Sequence, residues 1–288
     1  MITPELGPIG VWGHLDTLAA ADARAYARRV EELGFGALWV PETVGREPFS
    51  LLAMLSGETE RIALGTSIVN VWGRDPQATR MAAATLAEAT GGRFVLGLGV
   101  SHPHLAEKLR GHRFERPLTR MREYLASYRA AAYRGPPAAE TPVLIAALRE
   151  RMTDLAAADA DGAFPYLVTA ERIGWMRRRL DRAARDGRPL LAVTLPVADG
   201  RAAARAYLKP YLRTPTYHAS WALQGFDAGD WEPPGSDRLV DAMVAKSMPE
   251  ARRRLEELHR AGADHVAVIP LAPDGTTEHL ATLEALSS

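Results

Sequence analysis

Ile62-Ala63-Leu64-Gly65-Thr66-Ser67-Ile68-Val69-Asn70 is the stretch that decides the fold. It begins as a continuous apolar run, the pattern of a parallel strand buried on both faces. It ends in small and polar residues instead of a turn, as a strand leading into a ligand pocket does. Asp75-Pro76 then reads as an N-cap with proline at the first helical position. The helix they open runs to Gly91-Gly92, and Phe94-Val95-Leu96-Gly97-Leu98-Gly99 follows as the next strand. Strand, helix and strand make one βαβ unit with polar residues at the strand tips.

The same rhythm extends in both directions. Strands are expected at residues 7–12, 37–40, 62–70, 94–98, 143–147, 163–167, 190–195 and 265–269. Between them lie helical patterns, such as the stripe Tyr26, Val30 and Leu33 stopped by Gly34. Ser247-Met248-Pro249-Glu250 reads as a capping box. Residues 102–117 read as a long loop or lid, and residues 199–212 as a helix after the seventh strand. Residues 214–246, with Trp221, Phe226, Trp231 and several Gly and Pro, break the period and read as an insertion covering the site or an interface. Eight short apolar strands alternating with helices predict an α/β fold, a (β/α)8 TIM barrel with an insertion after strand 7, forming one domain over residues 1–288. An open doubly wound sheet is the structural alternative. No G-x-G-x-x-G follows the first strand, so a Rossmann dinucleotide site has no support.

Composition narrows the function. Lysine plus arginine and aspartate plus glutamate both number 35, so no global basic field points to nucleic acid. There is no cysteine, which excludes disulfides, thiol catalysis and Cys-ligated metals. The first residues show no basic segment before an apolar run, and no apolar stretch of about 18 residues is present. The expectation is a cytoplasmic protein with no membrane partner, acting on a small molecule and assembling as a homodimer.

In a barrel the site lies where the strands end. The tips expected there are Trp12 and His14, Glu42 and Thr43, Ser67, Asn70 and Trp72, Ser101 and His102, Leu148 and Arg149, and Tyr166 with Thr169. This set is aromatic-rich with few ionisable groups, which suits a flat conjugated ligand. His102, His104 and His112 share one loop, but helical H-E-x-x-H spacing is absent and no metal is expected. No G-x-S-x-G elbow is present. Glu42 reads as a general base, as a hydrogen-bond acceptor for a ligand ring, or as an N-cap or ion-pair partner of the neighbouring loop. His14 and His102 are the groups able to exchange protons near neutral pH. Arg149 and Arg151 open a helix and suit a phosphate.

At these residues the chain resembles the luciferase-like oxidoreductases, particularly their branch dependent on the deazaflavin coenzyme F420. The resemblance lies in Gly36-Ala37-Leu38-Trp39-Val40-Pro41-Glu42, in residues 61–68, in residues 92–102, in Ala160-Asp161-Gly162-Ala163 and in Gly262-Ala263-Asp264-His265-Val266. It implies a barrel with the deazaflavin, or alternatively flavin mononucleotide (FMN), at the carboxyl ends of the strands. It implies a non-prolyl cis peptide at Ser67–Ile68 beneath the ring, with Asn70 and Ser101 beside it and Glu42 at its polar edge. The tail phosphate would lie near Ala147, Leu148 and Arg149. Trp12, Trp72, Tyr166 and Trp221 would line the substrate pocket. Several members carry Asp-His after the second strand, the histidine assisting proton transfer. Here Glu42-Thr43 stands in that place, which leaves His102 and His14 for the role. The implied activity is hydride transfer between the deazaflavin and a small organic substrate or activated double bond. An FMN-dependent monooxygenase and a non-catalytic flavin- or deazaflavin-binding protein are the alternatives.

Overall fold

The computed structural model describes residues 4–136, 138–185 and 187–288. Residues 1–3, part of the segment read above as lacking a leader, lie outside the described residues. Among the described residues no helix is long and apolar enough to cross a membrane.

The strands are β1 Ile9–Trp12, β2 Ala37–Val40, β3 Ala63–Thr66, β4 Val69–Asn70, β5 Phe94–Gly99, β6 Val143–Ile145, β7 Gly162–Ala163, β8 Leu190–Val197 and β9 His265–Pro270. They pair in parallel in the order β3-β2-β1-β9-β8-β7-β6-β5-β4, and a β3–β5 pairing closes the ring. β3 and β4 are two halves of one barrel strand, parted at Ser67-Ile68, where the peptide bond is cis as the resemblance implies. The fold is thus the expected (β/α)8 barrel, with β8 as its seventh strand.

Alternation along each strand sorts the core into two layers. Val11, Leu38, Leu64, Leu96, Val193 and Val268 point outward beneath the helices. Trp12, Trp39, Ala63, Val95, Ala192 and Ala267 point into the barrel. Trp39 is fully buried and fills that interior. Only glycine fits opposite it, because a Cβ on Gly65 would lie 2.3 Å from the indole ring. The indole Nε1 donates to His265 Nε2 at 2.9 Å, and His265 Nδ1 donates to the Gly7 carbonyl at 2.8 Å.

The helix after β4, Pro76–Ala89, starts as expected: Asp75 accepts from the Ala78 amide at 2.9 Å, with Pro76 in the first turn. Asp75→Ala should therefore cost about 1 kcal/mol, read as a lower denaturant midpoint with unchanged slope.

Three boundaries differ from the expectation. The sixth barrel strand is only Gly162–Ala163, because Pro165 has no N–H for the ladder and Leu167 turns to φ 53°. The helix expected over 199–212 stops at Leu208, ahead of Pro210, and a 3-10 turn follows at Tyr211–Arg213. The segment expected as a loop over 102–117 contains a π-turn, Leu105–Leu109.

The insertion after β8 carries helices Pro215–Ala222, Ala228–Trp231 and Asp237–Met243, and returns to the sheet where Ala245 bridges Val197. Its Trp221 and Phe226 are buried within the chain. Tyr217 from the first of these helices lies 5.3 Å from the His102 ring, so the insertion covers the carboxyl end of the barrel.

Candidate active site

The break between β3 and β4 lies directly against β5. Thr66 Oγ1 donates to the Gly97 carbonyl at 2.9 Å and accepts from the Gly97 amide at 2.8 Å. A Cβ on Gly97 would sit 1.9 Å from the Thr66 carbonyl oxygen, so β5 must present a bare backbone here. Gly97→Ala should cost about 3 kcal/mol through backbone displacement at the mouth, measurable by chemical denaturation.

Side chains from neighbouring tips fix the break on both sides. Trp12 Nε1 donates to the Ser67 carbonyl at 3.1 Å. The Glu42 amide donates to the Ile68 carbonyl at 3.1 Å, and the Asn70 amide donates to Glu42 Oε2 at 2.5 Å. Asn70 Oδ1 accepts from the Trp72 amide at 2.9 Å, and Trp72 Nε1 donates to the Val100 carbonyl at 2.9 Å. The structure thus brings Trp12, Glu42, Ser67, Ile68, Asn70 and Trp72 into one contiguous mouth.

Glu42 holds a different position from a free base. Its Oε1 meets Arg74 Nη2 at 3.0 Å and Arg110 Nη2 at 3.1 Å, and its side chain is only 8% exposed. The carboxylate is thus shared by two guanidiniums and the Asn70 amide. Of the readings open from sequence, the ion-pair one has these contacts behind it.

His102 follows Ser101, a non-glycine residue at φ 56°. Its ring stacks on His104 at 5.9 Å, while His112 lies against Trp72 instead, so the three histidines of this loop do not converge. Among the described residues no group of three or more His, Cys, Asp or Glu is arranged to hold a metal. Burial, with His104 beside it, pulls the His102 pKa down to about 4. At neutral pH the ring is uncharged, and its buried Nδ1 has no partner among the described residues. His102 therefore enters the site as a neutral hydrogen-bonding group.

His14 lies at the next junction, between the tips of β1, β2 and β9. Its Nε2 is 3.1 Å from Thr43 Oγ1 and 3.4 Å from Asp16 Oδ2. The Thr43 hydroxyl donates to that same Asp16 oxygen at 2.7 Å.

The far wall is built of tyrosines. Tyr166 lies 6.0 Å from Trp12 and 6.1 Å from Tyr217, and its hydroxyl bonds those of Tyr207 and Tyr211. Burial pushes the hydroxyls of Tyr166, Tyr207 and Tyr217 well above the usual phenol range. Trp221 does not line open volume as expected. It is fully enclosed behind Tyr217, its Nε1 donating to the Leu167 carbonyl at 3.2 Å. Tyr207, Tyr211 and Tyr217 are residues that sequence reasoning missed. Their spacing, two of them four apart and flanking Pro210, was the available signal.

The rim beyond β6 holds Ala147, Leu148 and Arg149. Ala147 is buried, while Arg149 is exposed at the start of helix Glu150–Asp159 and makes no capping bond. The oriented cation of this rim is Arg172, which the sequence did not single out. It is buried, lies 3.7 Å over the Trp175 ring and donates Nη2 to the Leu148 carbonyl at 2.7 Å. Its buried Nε has no partner among the described residues.

A cleft of about 570 Å³ lies at the opposite, amino-terminal end of the barrel, beside Glu31, Phe35 and Arg61. Burial there works against the Glu31 charge, but amides of Glu60, Arg61 and Ile62 at 2.8–3.0 Å outweigh it and hold the carboxyl below its usual range. That carboxylate ties helix to strand, and its acceptor capacity is taken.

A sequence profile of the family described as luciferase-like monooxygenase matches residues 6–265. A Mycobacterium tuberculosis protein provisionally named coenzyme F420-dependent oxidoreductase is 30% identical over 250 residues, 71% of this chain and 70% of that protein. The coenzyme F420-dependent tetrahydromethanopterin reductase of Methanopyrus kandleri superposes with a TM-score of 0.75 at 18% identity, covering 98% of this chain and 97% of that one. An F420-dependent secondary alcohol dehydrogenase, solved with an F420–acetone adduct, gives a TM-score of 0.76 at 13% identity over 97% of both chains. The two structural likenesses speak to the barrel alone. The reach of the profile and of the mycobacterial relative settles the ancestry: this chain belongs to the luciferase-like monooxygenase family.

Proposed function

We propose that the chain is a coenzyme F420-dependent oxidoreductase acting on a small organic substrate. The observation that carries this reading is the parted strand at Ser67-Ile68, backed by bare Gly97 and faced by Trp12, Asn70 and Trp72. A strand opened at its tip, with a flat floor and aromatic flanks, is a seat for a planar ring system. The choice of deazaflavin over flavin follows the mycobacterial relative.

The residues present fit the group. Arg172, with Nη2 on the Leu148 carbonyl and a buried Nε that has no partner among the described residues, is placed for a phosphate on the cofactor's tail. Asn70, Ser101 and the neutral His102 offer hydrogen bonds at the ring's edge. Bound there, a reduced deazaflavin supplies a hydride to an activated double bond or carbonyl, and the oxidised form accepts one from an alcohol. The chain's own part is to orient the two reactants, to exclude water with the tyrosine wall, and to move one proton. That wall carries no formal charge at neutral pH, which favours an uncharged substrate.

Titration with oxidised F420 and, separately, with FMN tests the reading. F420 should bind at least about tenfold more tightly, a difference of about 1.4 kcal/mol. Arg172→Met should weaken F420 by about tenfold or more, since a charged hydrogen bond is lost. Binding of FMN alone would overturn the deazaflavin assignment.

A further inference from the structure

Hydride transfer to a polar double bond leaves one substrate atom needing a proton, and the reverse reaction leaves a proton to be taken up. The groups at the mouth that titrate are few. Glu42 is held by Arg74 and Arg110. His102 is kept neutral by burial. The tyrosine hydroxyls are held protonated by burial and by one another. His14, at the adjoining junction of the β1, β2 and β9 tips, combines solvent contact with a built support.

That support fixes which nitrogen does what. The single Thr43 hydroxyl proton goes to Asp16 Oδ2 at 2.7 Å, so the hydroxyl oxygen accepts from His14, and Nε2 carries the hydrogen at 3.1 Å. Asp16 is itself fixed, its other oxygen accepting from the Arg46 amide at 2.9 Å. The His14 amide donates to Thr277 Oγ1 at 2.9 Å, which ties the loop to the one following β9. Nδ1 has no protein partner among the described residues and is not enclosed. The charged groups facing the ring are Asp16 on its own loop and Glu278 after β9, with Arg46 beyond Asp16.

We propose that His14 is the acid–base residue of this site, working through Nδ1, and that Thr43 and Asp16 are the pair that positions it. The proposal rests on the cofactor reading above and gives its proton a source. In the reducing direction the His14 Nδ1–H bond breaks as a bond from that proton to the substrate forms. The electron pair for the new bond comes from the double bond that the hydride has attacked. His14 is left neutral with its Nε2 hydrogen still on Thr43, and solvent restores the lost proton at a side chain that is 33% exposed. In the oxidising direction neutral Nδ1 takes the alcohol's proton. The hydroxyl and carboxylate hold the ring and set its tautomer, and neither changes protonation state.

The tautomer is directly readable. In 15N-labelled protein, two-bond 15N–1H correlations should show the His14 ring as the Nε2–H form. Thr43→Ala and Asp16→Asn should each redistribute the tautomer and speed exchange of that hydrogen about tenfold, the loss of one hydrogen bond. Thr43→Ser should restore both signals. Oxidised F420, its binding followed on the same sample by absorbance, should shift the His14 resonances of the wild-type protein. Unchanged tautomer and exchange in Thr43→Ala, or unmoved His14 signals with F420 bound, would overturn the proposal. Failure of F420 to bind while the tautomer responds as expected would instead overturn the cofactor reading, and the acid–base role with it.

Discussion

Trp39→Phe is expected to lower the unfolding free energy by about 3 kcal/mol and to change how stability depends on pH. The indole fills the barrel interior and donates to His265, which is fully buried. Phenylalanine removes that donor and leaves His265 Nε2 an unsatisfied acceptor, besides opening space opposite Gly65. Burial pulls the His265 pKa down to about 4, against an ordinary value near 6.5. The sign follows from that direction. The folded state holds the neutral ring while the unfolded chain binds a proton below its ordinary pKa. The contribution is therefore complete above about pH 6.5 and is lost as pH falls toward 4. Between pH 7 and pH 5 this one group should remove about 2 kcal/mol. Guanidinium unfolding of the wild-type protein at pH 7.5 and pH 5.0 tests it. His102 adds in the same direction with a shift of the same size, so His102→Gln should keep about half of the combined drop. A midpoint that does not move with pH in His102→Gln, or a Trp39→Phe protein as stable as wild type, would show that the pair does not hold the barrel interior.

The barrel was legible because its determinants are local. Strands buried on both faces read as apolar runs, and Asp75-Pro76, Gly34 and Ser247 mark helix ends by short-range chemistry. The parting of the third strand at Ser67-Ile68 was implied by the family resemblance alone, since the residue pattern reads 62–70 as one strand. The misjudged boundaries have local causes too: the N–H missing at Pro165 and Pro210 outweighed an otherwise continuous pattern. The site resisted for a different reason. What Glu42 does is set by Arg74 and Arg110, 32 and 68 residues away in sequence, and a strand-tip carboxylate looks the same with or without them. The two histidines likewise differ by tertiary surroundings alone. His102 is buried beside another imidazole, while His14 faces a hydroxyl and a carboxylate. Arg172 and the tyrosine wall sit in segments whose sequence suggests ordinary amphipathic helix and turn. Only closure of the barrel places them at its rim.

Glu42→Gln should destabilise the protein by about 3 kcal/mol and loosen the segment after β5. The wild-type carboxylate lies between two guanidiniums that meet the same oxygen, and Arg74 Nη1 and Arg110 Nε are already buried without partners among the described residues. Glutamine keeps the shape and a carbonyl acceptor for the Asn70 amide but removes the charge. Two cations then face each other in a partly desolvated site, and Arg110 gains by leaving. Arg110 directly follows the π-turn, so its release frees Arg110 and loosens the backbone around the already exposed Lys108 and Arg113 for trypsin. Limited proteolysis of Glu42→Gln should cut there several-fold faster than in wild type. Arg110→Met should slow that cutting when added to Glu42→Gln, because the repelling partner is gone, although alone it is destabilising. That non-additivity separates the two readings of Glu42. A carboxylate kept for proton exchange would be replaced by glutamine with little change in stability or proteolysis, and would show no coupling to Arg110. A structural anion gives the loss, the faster cutting and the partial recovery together.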